Sequence, residues 1–304
     1  MHYVSTREGK AAFSAAQAIV RGISEEGGLF VPAFFPHMGL DEIGAMVQKS
    51  YQERACVILG KFLTDFSAEQ IRKMVEAAYG SGFDAPEVVP VREIDKGRAV
   101  AELWHGPTLA FKDMALQLLP HLMTASAAQV GERREIVILA ATSGDTGKAA
   151  LEGFANVEGT QCVVFYPKEG VSQAQRLQMV TQEGKNTHVI AVRGNFDDAQ
   201  AGVKRIFGDP EARDWMNQQG KVFSSANSIN WGRLAPQLVY YFSAYVDQVR
   251  QGRIELGDEL NFVVPTGNFG NILAAVYARS MGLPIGRLIC ASNRNRVLAD
   301  FLKD

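Results

Sequence analysis

A chain of 304 residues with 47% hydrophobic and 21% charged side chains is long enough for two domains and a substantial core. Its formal net charge of −2 gives no electrostatic argument for nucleic acid or an anionic membrane as partner. Cys56, Cys162 and Cys290 stand far apart and form neither a C-x-x-C pair nor a disulfide framework, so a cytoplasmic setting is expected.

The remaining exclusions are as simple. No apolar stretch approaches the ~20 residues of a membrane span, and the N-terminus shows no signal-peptide core. His2, His37, His105, His121 and His188 lack metal-ligand spacing, so no metal is expected.

In chain order, residues 1–88 read as mostly helical. Apolar side chains recur at three- and four-residue spacing over 10–23 and 41–63, and a helix over 67–79 opens with a capping box, Ser67 with Gln70. Gly80-Ser81-Gly82 with Pro86 and Pro90 mark a boundary. Lys112 then opens an apolar run, 114–119, that reads as a buried helix starting at Asp113. Beyond it, strand and helix signals alternate. Strands are predicted over 135–141, 161–166, 188–192 and 221–223, with helices over 146–156, 173–182 and 197–207 between them. The continuous apolar run 135–141 suits a strand buried on both faces, and the alternation predicts a parallel sheet covered by helices. A long helix over 235–250, a strand over 261–264, a helix over 272–281 and a strand over 287–291 complete the series. No internal repeat interrupts it.

Three segments carry chemistry. Lys112 lies between Phe111 and the predicted helix start, where the helix dipole and burial both disfavour its charge. A lowered amine pKa is what imine formation with a carbonyl cofactor requires. The alternative on spacing alone is a lysine whose stem packs on Phe111 while its head reaches water. The loop Thr266-Gly267-Asn268-Phe269-Gly270-Asn271 joins a strand to a helix, and its glycines and free helix N–H groups make a candidate phosphate cradle. It is not the dinucleotide fingerprint G-x-G-x-x-G, so no nicotinamide or flavin is expected. The third segment, Thr142-Ser143-Gly144-Asp145-Thr146-Gly147-Lys148, superficially suggests a nucleotide P-loop. Thr142 and Ala149 occupy positions where that motif needs glycine and a hydroxyl residue, which excludes it. Asp145 or Thr146 could equally cap the following helix.

The run H-G-P-T-L-A-F-K-D at 105–113 resembles the cofactor-lysine segment of the threonine synthases, pyridoxal-phosphate enzymes of fold type II. Six further motifs in order strengthen the resemblance: Y-V-S-T-R at 3–7, G-G-L-F-V-P at 27–32, T-S-G-D-T-G at 142–147, G-N-F-D-D-A-Q at 194–200, N-S-I-N-W-G-R at 227–233 and P-T-G-N-F-G-N at 265–271. The resemblance implies an α/β fold like that of the tryptophan synthase β chain, with parallel sheets covered by helices. Its parts would be a helical N-terminal region (1–88), a small domain (135–221), and a large cofactor domain from 89–134 and 222–304. Lys112 would bear pyridoxal 5'-phosphate, with Asp145 beside the ring and Gly267, Asn268, Phe269, Gly270 and Asn271 around the cofactor phosphate. Ser143 and Thr146 would hold the substrate carboxylate, and Asn227, Ser228 and Arg233 the substrate phosphate. An arginine fork suits a phosphate.

The implied reaction is the last step of threonine biosynthesis. A carbon–oxygen lyase acting on phosphate turns O-phospho-L-homoserine and water into L-threonine and phosphate by γ-elimination and β-addition. A serine or threonine dehydratase, a cysteine synthase, or a non-catalytic cofactor- or phosphate-binding protein are the alternatives. The first two share the lysine and glycine loop but need no phosphate grip at Asn227, Ser228 and Arg233. Two departures stand out. Glu8 precedes Gly9 where the family has glycine directly after S-T-R, and the F-L-K run at 301–303 is followed by a single residue, Asp304. In the family a long portion follows, with the hydroxyl residue that faces the pyridine nitrogen. The resemblance therefore implies an incomplete large domain here, with weak cofactor retention and little turnover by these 304 residues alone.

Overall fold

The computed structural model describes residues 1–304 except 8, 10, 143 and 302–304. Glu8, Ser143 and the end of the F-L-K run therefore lie outside the described residues. The chain opens with β1 (Tyr3–Ser5), α1 (Ala15–Arg21), β2 (Phe30–Pro32), α2 (Leu40–Gly44), α3 (Tyr51–Gly60) and α4 (Ala68–Ala78). β1 and β2 pair antiparallel. The helices fall where the apolar spacing predicts, but shorter. α1 starts only after a capping box at Ser14 and stops at Gly22, which takes φ +70. The 41–63 stretch divides in two because Ser50, boxed with Glu53, starts a new helix. The Ser67–Gln70 capping box is present as expected.

A hairpin follows, β3 (Val91–Asp95) with β4 (Arg98–Ala101), and then α5 (Asp113–Leu116) and α6 (Leu119–Val130). The alternating part comprises β5 (Glu135–Ala141), α7 (Asp145–Phe154), β6 (Thr160–Pro167), α8 (Gln173–Val180), β7 (Thr187–Val192), α9 (Phe196–Gly208), α10 (Pro210–Gln218) and β8 (Lys221–Ser224). Its four strands form one parallel sheet in the order β7-β6-β5-β8. β5 is buried from Ile136 to Ala141, as expected of a strand covered on both faces. The chain leaves β5 toward β6 on one side and returns to it through β8 on the other. In open α/β sheets such a reversal marks where ligands bind, here the carboxyl ends of β5 and β8.

The last elements are α11 (Trp231–Arg250), β9 (Leu260–Pro265), α12 (Gly270–Ser280), β10 (Ile285–Ala291) and α13 (Val297–Phe301), with β9 and β10 paired in parallel. α11 is the post around which the larger core is built: every residue from Trp231 to Gln248 is buried. A fully buried Leu, Val or Phe contributes about 1.5–3 kcal/mol, so a helix buried all round is strongly anchored. The same helix must satisfy its charges. Asp247 meets Arg54 of α3 at 2.9 Å, and Arg54 also donates to Ser243 Oγ at 2.7 Å and Met46 O at 3.1 Å. Asp247 also pairs with Arg250 at 2.9 Å, so it is removal of Asp247 that would leave the buried Arg54 without a carboxylate.

Candidate functional site

Two of the loops singled out by sequence emerge side by side from β5 and β8. After β5, the buried Thr142 organises the turn: its Oγ1 accepts from Gly144 N at 3.0 Å and Gly147 N at 3.1 Å. Gly147 has to be glycine, because a Cβ there would lie 2.4 Å from Thr142 Cγ2 and 2.8 Å from Met179 Sδ. Asp145 and Thr146 fall in the first turn of α7, both half-buried.

Lys112 reaches this loop from the other side. Its Nζ lies 2.9 Å from Asp145 Oδ2 and 4.3 Å from the centre of the Phe111 ring, with 14% of the side chain exposed. Contrary to expectation, the helix dipole contributes little at Lys112, since α5 is only four residues long and the macrodipole of one turn is small. What fixes the lysine is a carboxylate partner together with a closed loop behind it. Asp113, fully buried, accepts from Thr108 N at 2.8 Å and Thr108 Oγ1 at 2.7 Å. Gly106 packs so tightly on Asp113 that a Cβ would come within 2.5 Å of it, and Leu109 at the tip takes φ +57. Left-handed backbone at a branched residue stores strain, which clusters at functional sites. Burial pushes the Asp113 carboxyl up, against the Thr108 hydrogen bonds that favour its charge.

His105 anchors the start of that loop. Its Nδ1 sits 2.6 Å from Asp84 and its Nε2 2.9 Å from Glu102. The Glu102 hydrogen bond, with Asp84 added, raises its pKa. A raised folded-state pKa stabilises below the unfolded value and ceases to do so as pH rises through the folded one. The melting-temperature gap between wild type and His105→Gln should therefore be widest in weak acid and narrow as pH rises. A gap independent of pH would remove His105 from this role.

After β8, the chain turns through Asn227 and Ser228 into α11. The long helix starts at Trp231, four residues before the predicted start, because Asn230 caps it: its Oδ1 accepts from Gly232 N at 2.8 Å while its Nδ2 holds Ile19 O and Ser225 O, each at 3.0 Å. Arg233 thereby lies in the first helical turn, where a cation opposes the dipole. The residue is 3% exposed. Its Nη1 donates to Ala226 O, and its Nε has no hydrogen-bond partner among the described residues. Burial pulls its pKa down to about 10, with the charge of Asp145 acting the other way. No hydrogen bond among the described residues joins the Asn227 or Ser228 side chains to Arg233. The loop instead runs through its backbone, Asn227 N donating to Ser225 Oγ at 3.1 Å.

The glycine loop closes the group. Gly267 takes φ +48, and Phe269 takes φ +68 at the N-cap of α12. A Cβ at Gly270 would lie 4.0 Å from Ser228 Cβ, an ordinary contact distance, so the loop runs beside Ser228. Lys112, Asp145, Arg233, Ser228 and the glycine loop thus form a chain of neighbours drawn from four segments. Together they offer an amine beside a carboxylate, a buried guanidinium with free donors, and a helix N-terminus. Sequence reasoning missed Asp113, Asn230 and Thr142. Asn230 had a legible signal, an N-cap residue before an apolar run. The other two act only through loop closure.

A model of the threonine synthase N terminus matches residues 2–79, and a model of the pyridoxal-phosphate dependent enzymes matches residues 100–303. The chain is 44% identical, over 95% of its length and 40% of the relative's, to threonine synthase-like 1 of Macaca fascicularis. It is 42% identical, over 99% of its length and 62% of the relative's, to threonine synthase of Pseudomonas aeruginosa. The X-ray structure of PLP-bound threonine synthase from Brucella melitensis, 40% identical, superposes with a TM-score of 0.89 over 100% of this chain and 63% of that one. The chain thus spans 40% to 63% of the length of these three relatives.

Proposed function

For a chain that belongs to the pyridoxal-phosphate-dependent enzymes, with a threonine synthase-like structure of fold type II, we propose the reaction of O-phospho-L-homoserine with water to give L-threonine and phosphate. Pyridoxal phosphate is its cofactor, and the residues present fit that group: a part-buried lysine amine stands beside Asp145, and the chain also offers an open glycine loop at a helix N-terminus. When bound, the cofactor supplies the electron sink for bond changes at the substrate's α-carbon.

This chain's own residues account for the rest of the proposal. Lys112 holds the cofactor and then moves protons at Cα and Cβ, its ammonium form steadied by Asp145. Gly267, Asn268, Phe269, Gly270 and Asn271 receive the cofactor phosphate. Thr146, with Ser143, takes the substrate carboxylate at the start of α7. Arg233, with Asn227 and Ser228, takes the substrate phosphate. Phosphate leaves from Cγ and water adds at Cβ. Held by Arg233, the departing phosphate is well placed to take a proton from that water. A soluble small-molecule substrate in the cytoplasm is the setting we propose; among the described residues no helix is long and apolar enough to cross a membrane.

Arg233 is the observation that carries this reading. A buried guanidinium that has, among the described residues, no hydrogen bond to its Nε and no salt bridge to a carboxylate is costly unless an anion arrives. A dehydratase or cysteine synthase acting on an unphosphorylated substrate has no use for it. The test is a paired assay of phosphate and threonine released from O-phospho-L-homoserine by a catalytically complete version of the protein. Equimolar products are expected. Ammonia and a 2-oxo acid would favour a dehydratase, and cofactor binding without any product a binding protein.

A further inference from the structure

The glycine loop is braced from behind by two phenols that the reaction itself does not use. Tyr240 and Tyr241 project from α11, buried at 3% exposure each. Both hydroxyls lie 2.6 Å from Asn271 Oδ1, and Tyr241 is also 3.0 Å from Asn271 O. Asn271 is the second residue of α12 and the last of the loop. Its Nδ2 makes no hydrogen bond among the described residues.

An asparagine facing an anion has a choice of two ends. Its carbonyl oxygen repels the anion and its amide attracts it, and a half-turn of the side chain exchanges them. In the structure both hydroxyls donate to Oδ1, which leaves the Nδ2 end of the amide without a hydrogen bond to either phenol. We propose that Tyr240 and Tyr241 are positioning residues for the cofactor phosphate: by holding the Asn271 carbonyl, they turn its amide donors toward an anion at the 266–271 loop. This rests on the reading of that loop as the cofactor-phosphate cradle. Burial raises both phenols' pKa values, so both remain donors throughout the physiological range.

The brace is continuous with the substrate side. Gln237 Oε1 stands 3.1 Å from the Tyr240 hydroxyl, and Gln237 Nε2 donates to Arg233 O at 2.8 Å. Residues 233, 237, 240 and 241 fall on one face of α11 at helical spacing. One buried helix therefore carries both the guanidinium and the brace behind the glycine loop.

The test compares pyridoxal phosphate with pyridoxal, which lacks the anion, on the full chain. Dissociation constants for both are measured by the absorbance change on binding, with inorganic phosphate as a competitor. In wild type, pyridoxal phosphate should bind more tightly than pyridoxal. Tyr240→Phe and Tyr241→Phe should each weaken pyridoxal phosphate by about two- to tenfold, the worth of one neutral hydrogen bond, and leave pyridoxal unchanged. The double variant should lose more. Equal weakening of both ligands would mean that the tyrosines merely pack, and a wild-type preference surviving in the double variant would overturn the proposal alone. A wild type that holds the two ligands equally would remove the cradle, and the proposal with it. Should the phenylalanine variants unfold, Asn271→Asp serves instead. It keeps both acceptors for the tyrosines, lacks the amide donors and adds negative charge, so it should lose the preference for the phosphorylated ligand; a retained preference would overturn the proposal.

Discussion

Lys112→Ala should lose the covalent pyridoxyl label that borohydride fixes on the wild-type protein, and with it nearly all turnover. The expectation rests on position. Lys112 Nζ is held 2.9 Å from Asp145 Oδ2 by a loop that Asp113 and Thr108 lock from within. Removing the amine leaves that loop intact, since neither Thr108 bond to Asp113 involves the lysine side chain. The variant should therefore fold normally and still bind pyridoxal phosphate non-covalently through the glycine loop. A positioned general acid–base group contributes about 10²–10⁴-fold, and the loss in kcat should be at least that large. Peptide mapping after reduction gives the decisive readout. If the label appears equally in Lys112→Ala, another lysine carries the cofactor and the site has been misassigned.

The sequence made the alternating half of the fold legible because its signals are local. The apolar run of β5 and the Ser67 capping box can each be read within ten residues, and the structure places them as expected. What was missed lacks such a signature. The β3–β4 hairpin turns at Gly97, φ +85, but from Arg92 to Ala99 its residues are exposed on both faces, so no alternation marks them. α6 and α10 each begin beside a proline, Pro120 and Pro210, where the residue favours a helix start rather than breaking one. The helix predicted over 235–250 begins just before Pro236, while α11 starts at Trp231 and accommodates that proline internally. The site follows the same logic. Each motif was visible alone, but nothing local in the sequence says that β8 lies beside β5. That adjacency brings Arg233 within the electrostatic reach of Asp145.

Arg233→Met should separate function from stability, and in opposite directions. In the wild type the guanidinium is buried in the first turn of α11, hydrogen-bonded to Ala226 O, with its Nε unfilled. Its folded-state pKa is drawn down to about 10, below its value in the unfolded chain. The folded protein thus carries the cost of the buried charge at every pH below about 10, including neutrality. A methionine of similar length removes that cost and fills the space, so the variant should melt no lower than wild type, and higher if repacking is good. Binding should fall in the same variant. A charge-assisted contact contributes about 1.5–3 kcal/mol, so affinity for O-phospho-L-homoserine should drop roughly tenfold to over a hundredfold. Cofactor occupancy should be unchanged, because the glycine loop and Lys112 are untouched. Calorimetry and substrate titration on one preparation read both effects. An Arg233→Met protein that is markedly less stable would show the guanidinium to be a structural clasp. Unchanged substrate affinity would show that the phosphate is gripped elsewhere, and an enzyme acting on an unphosphorylated amino acid would become the better reading of this site.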